Sequence, residues 1–238
     1  MKVLSIGNSF SQDAQRYLHR LAKADGFDLQ TTNLYIGGCS LETHHKNMRE
    51  DLAAYDLEIN GNSATTKISI REALESAQWD VVTVQQVSSL SGKYETYFPY
   101  VTELVDYVRS LRPNAKIYVH ETWPYENGSE LLKSLDYATS ADMFSDVKAN
   151  YQKLASVIHA DKIIHSGSAM LEAINRGMKI HRDTFHASYG AGRYMIALVW
   201  YKTLTGNDIT NNTFADFDED VSLEDRKTVI KIANMVCE

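Results

Sequence analysis

Proline is scarce, with three residues in 238, and glycine numbers only 12. So few breakers exclude a string of domains on flexible linkers, and a single domain over residues 1–238 is the expectation. Cysteine is scarcer still. Cys39 and Cys237 stand nearly a chain length apart and outside any C-x-x-C spacing, so neither a disulfide framework nor a zinc site is implied. Basic residues are outnumbered, 24 Lys and Arg against 31 Asp and Glu, for a formal net charge of -7. That balance disfavours a phosphate-rich partner, because nonspecific nucleic-acid affinity comes from Lys and Arg displacing condensed counterions; no nucleic acid is expected. No apolar run reaches about 18 residues, so no membrane span is expected. Met1 leads straight into a strand-like segment, without a signal-peptide pattern. What remains, 44% hydrophobic and 23% charged residues, is the composition of a soluble globular chain with a sizeable core. It assigns neither compartment nor oligomeric state.

Strand-like and helical segments alternate throughout. Lys2 to Ile6 is followed by an amphipathic stretch from about Asp13 to Asp25 and then by Asp28 to Tyr35, the pattern of βαβ units. Short apolar runs at Trp79 to Val84, Lys116 to His120 and Lys162 to His165 complete five strands, each run too short for a helix. The fold class expected is therefore α/β, a three-layer sandwich with a five-stranded, mainly parallel sheet. Tyr97 to Arg112 and Ala141 to Ile158 carry helical stripes that would cover it. Between Asp56 and Ile70, Asn60-Gly61 separates two short runs, which reads as a hairpin beside the main sheet. Ser188 is placed to cap a helix ending near Leu204 with Gly206 as its stop, and Ser222 with Asp225 marks a last helix through Val236.

Ile6-Gly7-Asn8-Ser9-Phe10-Ser11 falls where the first strand gives way to a helix, at the sheet edge where open α/β folds bind ligands. A serine there meets the free N–H groups and positive dipole of a helix start, which suits a nucleophile generating an oxyanion. The plain alternative is a capping box, since Ser9 and Gln12 fit S-x-x-Q. Asp183-Thr184-Phe185-His186 follows the fifth strand region. An acid three residues before a histidine can orient its ring within one loop and stabilise the cation formed when the imidazole takes a serine proton. A capped turn beside a half-buried histidine is the alternative.

His120, Glu121, Trp123 and Tyr125 follow the fourth strand and are candidates for a sugar or acyl pocket, with Trp123 the substrate contact; packing under a loop is the alternative. His44-His45 lacks an acidic partner set, and adjacent helical histidines point apart, so no metal is expected. With no G-x-G-x-x-G and no G-K-[ST], nucleotide binding is not expected either. No serine sits in a G-x-S-x-G elbow, which removes the α/β-hydrolase alternative.

Taken together, GNSFS after strand one, Gly37-Gly38-Cys39-Ser40 after strand two and DTFHAS before the long helix resemble blocks one, two and five of the SGNH (GDSL-like) hydrolases, in order and across nearly the whole chain. Asp183 to Tyr201 is similar to a bacterial branch of that superfamily without assigned substrate. The resemblance implies a flavodoxin-like fold, Ser9 as nucleophile, His186 as base and Asp183 as its partner. It further implies an oxyanion hole from the N–H groups of Ser9 and Gly38 and a side-chain amide after strand three. Two departures stand out: Asn8 replaces the aspartate of G-D-S, and Val84-Gln85-Gln86-Val87-Ser88 replaces G-x-N-D. A glutamine carboxamide offers the same donor on a longer stem, so Gln85 or Gln86 is expected to fill the role. The implied activity is carboxylic ester hydrolysis without a cofactor, on a small-molecule or glycan ester, with an acetyl group on a carbohydrate as the first expectation. The rival is a catalytically inactive carbohydrate-binding protein on the same fold.

Overall fold

The computed structural model describes residues 1–237. β1 (Lys2–Gly7) is buried along five of its six positions, as a central strand covered on both faces must be. The chain turns into α1 (Ser9–Gln15), breaks at Arg16 and Tyr17, resumes as α2 (Leu18–Ala24) and returns as β2 (Gln30–Tyr35), parallel to β1. After α3 (Leu41–Arg49) come β3 (Tyr55–Ile59), β4 (Asn62–Ile68) and α4 (Ile70–Glu75). Alternation then resumes with β5 (Val81–Val84), α5 (Tyr100–Leu111), β6 (Lys116–His120), α6 (Glu130–Ser134), α7 (Ser140–Val157), β7 (Lys162–Ile164) and α8 (Ser166–Asn175). The last helices are α9 (Ala191–Thr205) and α10 (Leu223–Val236).

Among the described residues the sheet is ordered β4-β3-β2-β1-β5-β6-β7. The stretch β2-β1-β5-β6-β7 is parallel and consists of the five runs read from the sequence. The expected count of five is nonetheless corrected to seven, because the hairpin joins the sheet instead of lying beside it. An unpaired edge of β2 would leave a row of donors and acceptors open. β3 closes it with an antiparallel register from Thr32 opposite Ile59 to Tyr35 opposite Asp56. Asn60 and Gly61 turn the hairpin with φ of 53° and 78°, the pair of positive values that a two-residue turn between right-twisted strands requires.

Helices flank this sheet. α1, α2 and α10 pack on α9, and α3, α4 and α5 pack on one another. α9 is buried almost all round, which its continuous apolar sequence demands. The helix begins at Ala191 with Gly190 as its cap residue, while Ser188 Oγ accepts from the Gly192 N–H; it stops where Gly206 adopts φ 76°. Ser222 caps α10 by accepting from the Asp225 N–H, as the sequence pattern indicates. No helix is long and apolar enough to cross a membrane, among the described residues.

Candidate functional site

The turn from β1 into α1 is shaped by contacts that leave one hydroxyl free. Gly7 is required by space: a Cβ there would meet Ser11 Oγ at 2.1 Å. The cap of α1 is Asn8, not Ser9. Asn8 Oδ1 accepts from the Phe10 N–H (3.0 Å), and Ser11 Oγ accepts from the Asn8 N–H (3.0 Å), so the reciprocal capping box belongs to Asn8 and Ser11. Ser9 is the first helical residue. Its N–H has no intrahelical acceptor, by the geometry of any helix start, and its side chain faces a cavity of about 440 Å³.

The partner loop comes from the other end of the chain. His186 Nε2 lies 2.8 Å from Ser9 Oγ, and His186 Nδ1 lies 2.8 Å from Asp183 Oδ2. Asp183 Oδ1 also accepts from the His186 backbone N–H at 2.9 Å, closing a small ring that fixes imidazole and carboxylate together. With the Nδ1 proton held by the carboxylate, Nε2 is left to accept from the serine hydroxyl. Partial burial pushes the Asp183 carboxyl up, but hydrogen bonds and charge from His186, with Arg182 nearby, outweigh it and hold the group below its ordinary value. Thr184, at φ 73°, makes the bend that allows the tight Asp-to-His spacing.

What docks this loop against α1 was not read from the sequence. Asp13, fully buried one turn beyond Ser9, accepts from Arg182 (2.9 and 2.8 Å), from Arg193 Nε (2.8 Å) and from the Ala187 N–H (3.2 Å). Arg193 continues to Asp218, which also holds Arg16 through two 2.7 Å contacts. A signal existed: Asp13 occupies the inward stripe of α1, with Phe10 and Ala14, where an uncompensated carboxylate would not be tolerated.

Gly38, with φ 63°, lines the same cavity as Ser9, Phe185 and His186. The other expected donors do not. Gln85 Nε2 donates to Asn8 Oδ1 (2.8 Å), and Gln85 Oε1 lies 2.8 Å from His120 Nδ1. Gln86 Oε1 accepts from the Leu41 and Val87 N–H groups (2.9 Å each), while Gln86 Nε2 donates to the Thr96 carbonyl (3.0 Å). Both carboxamides are buried and spent on scaffolding, and the cavity wall after β5 is made by Val87, Ser88 and Ser89.

The expectation for Trp123 is corrected as well. It is fully buried, stacked on Phe10 at 3.9 Å between ring centroids, and its Nε1 donates to the Phe185 carbonyl at 2.7 Å, so it supports the histidine loop from beneath. His120 and Glu121 are buried too, and of that group Tyr125 alone reaches the cavity, with Ser88 Oγ 2.9 Å from its hydroxyl. His44 is buried against Tyr55 and Cys39, whereas His45 pairs with Glu103 at the surface, so the adjacent histidines do point apart. Among the described residues no three His, Cys, Asp or Glu side chains are grouped to hold a metal.

The family model described as Domain of unknown function (DUF4886) matches residues 2–234. The crystal structure of a DUF4886 family protein from Bacteroides uniformis ATCC 8492 is similar with a TM-score of 0.92 at 34% identity, over 99% of this chain and 94% of that one. A candidate SGNH hydrolase from Slackia heliotrinireducens matches with a TM-score of 0.61 at 23% identity, over 86% and 98% of the two chains. A variant of an acetyl-xylooligosaccharide esterase from Geobacillus gives 0.56 at 15% identity, over 84% and 92%. The structural neighbours are thus SGNH- and GDSL-like hydrolases, and at these lower identities the likeness is one of fold. No curated protein matched the chain.

Proposed function

The chain belongs to the DUF4886 family, and from that premise we propose that it is a serine esterase of SGNH type, cleaving an acyl group, first of all acetyl, from a carbohydrate. One observation carries the reading: Ser9 Oγ, His186 and Asp183 form an unbroken row of 2.8 Å contacts at the rim of a cavity. As the serine oxygen attacks the ester carbonyl, its proton passes to His186 Nε2, and Asp183 stabilises the imidazolium. The tetrahedral oxyanion is held by the N–H groups of Ser9 and Gly38; a donor so placed is typically worth about 3 kcal/mol in the transition state. Collapse returns the proton to the departing alcohol and leaves acyl-Ser9. Water, deprotonated by His186, then releases the carboxylic acid.

Tyr125, Phe185, Leu131 and Val87 supply an apolar side of the cavity for the acyl group, and the likeness in fold to the Geobacillus acetyl-xylooligosaccharide esterase supports acetyl and a sugar alcohol. The test is p-nitrophenyl acetate hydrolysis with Ser9→Ala: a drop of at least about 10³-fold with the fold intact is expected. Unchanged turnover refutes the reading. Labelling by a fluorophosphonate at Ser9 separates it from the rival, since an inactive glycan-binding protein would remain unlabelled.

A further inference from the structure

A second cavity, of about 270 Å³, lies between α1 and the β3–β4 hairpin and shares the Gln12 side chain as a wall with the Ser9 cavity. Its walls are polar: besides Gln12, they are Arg16, Glu58, Asn62, Ser63 and Asp218, with Arg193 behind. These groups are held in place. Glu58, only 5% exposed, accepts from Gln12 Nε2, from Asn33 Nδ2 (2.8 Å) and from Ser63 Oγ (3.3 Å). Arg16 is fixed by Asp218, by the Gly61 carbonyl (3.0 Å) and by Asn62 Oδ1 (3.3 Å). The hairpin wall is itself pressed on α1, since a Cβ at Gly61 would meet the Arg16 carbonyl oxygen at 2.5 Å.

The charges cancel. Two guanidinium groups, Arg16 and Arg193, face two carboxylates, Glu58 and Asp218, so the cavity selects neither an anion nor a cation. The bonds within the cluster engage neither Gln12 Oε1 nor Arg193 Nη2 and use Ser63 Oγ only as a donor, so acceptors and a donor remain side by side, a mixture that hydroxyls, which both donate and accept, can match. We propose that this cleft is a glycan subsite, holding through their hydroxyls the uncharged sugar units beside the esterified one, so that the preferred substrate is an acylated oligosaccharide. The inference rests on the esterase reading and adds to it the size and charge of the alcohol.

The experiment compares p-nitrophenyl acetate with O-acetylated sugars, from single units to short oligomers of xylan, mannan and glucan type, using wild type, Asn62→Ala and Ser63→Trp. Asn62 and Ser63 are exposed on the hairpin and lie outside the row formed by Ser9, His186 and Asp183. For the wild type, kcat/KM is expected to rise about tenfold with chain length on at least one backbone, the worth of one or two hydrogen bonds. Ser63→Trp should remove that rise through KM, Asn62→Ala should reduce it, and both should leave p-nitrophenyl acetate turnover within about twofold. Rates independent of chain length on every backbone overturn the subsite, as does an equal loss on both substrate types. Absence of wild-type p-nitrophenyl acetate hydrolysis refutes the esterase reading itself, and the subsite with it.

Discussion

Ser9 and His186 are held by two networks of opposite chemistry. On the serine side every member is uncharged. Ser166 Oγ meets His120 Nε2 (3.0 Å), His120 Nδ1 meets Gln85 Oε1, Gln85 Nε2 donates to Asn8 Oδ1, and Asn8 Nδ2 donates to the Cys39 carbonyl (3.1 Å). This row ties the turn that carries Ser9 to the loop that carries Gly38. Burial holds His120 neutral, its pKa lowered to about 3, which keeps the row free of charge. On the histidine side the tie is ionic: Asp13, without solvent exposure, sits between Arg182 and Arg193. A neutral row tolerates the loss of one member at the cost of an unpaired polar group, whereas a buried ion cluster depends on each charge for the burial of the others.

Asp13→Asn gives the largest expected effect. Arg182 would lose its buried counter-charge and Arg193 one of its two carboxylates, at a cost of about 3–5 kcal/mol in urea denaturation, and kcat should fall more than KM rises as the histidine loop loses its dock on α1. A loss below about 1 kcal/mol would break the contrast. Gln85→Leu should cost less, about 1–3 kcal/mol, since it strands the His120 N–H but leaves Asn8 Oδ1 its bond from Phe10. A larger loss than for Asp13→Asn would reverse the ranking of the two networks.

A pH titration sharpens the comparison further. His120 is neutral when folded down to about 3, whereas the unfolded residue binds its proton near 6.5. Over that window the unfolded state holds more protons, so stability is full above 6.5 and is lost progressively as pH falls toward 3. His120→Gln should flatten the slope of unfolding free energy between those limits by up to about 1.4 kcal/mol per pH unit. An unchanged slope would show that His120 is not held neutral within the row.

Ser9, Asp183 and His186 were legible because each belongs to a short motif at a chain reversal, and a three-residue spacing confines Asp183 and His186 to one loop whatever surrounds them. Gln85 and Gln86 were not. Their amides were free in the sequence, but the acceptors that claim them belong to Asn8, 77 residues away from Gln85, and to Thr96 across a loop from Gln86. Trp123 likewise reads as a binding aromatic until Phe10 covers its face. The hairpin's alternation and its Asn60-Gly61 turn were visible, yet joining the sheet depended on the open edge of β2. α8 carries no local start signal, since its N-cap His165 makes no side-chain cap bond and Ser166-Gly167-Ser168 opens it with weak helix formers.

The sequence by itself determined the five runs that become parallel strands, the helices α5, α7, α9 and α10, and the residue types at the strand ends, because period, caps and turns are local properties of the chain. Only the tertiary structure decided which polar groups face the cavity and which are consumed beneath it. A buried amide or carboxylate must be satisfied by whatever partner folding brings near, and here those partners, Asn8 for Gln85 and Arg182 with Arg193 for Asp13, lie far away in sequence.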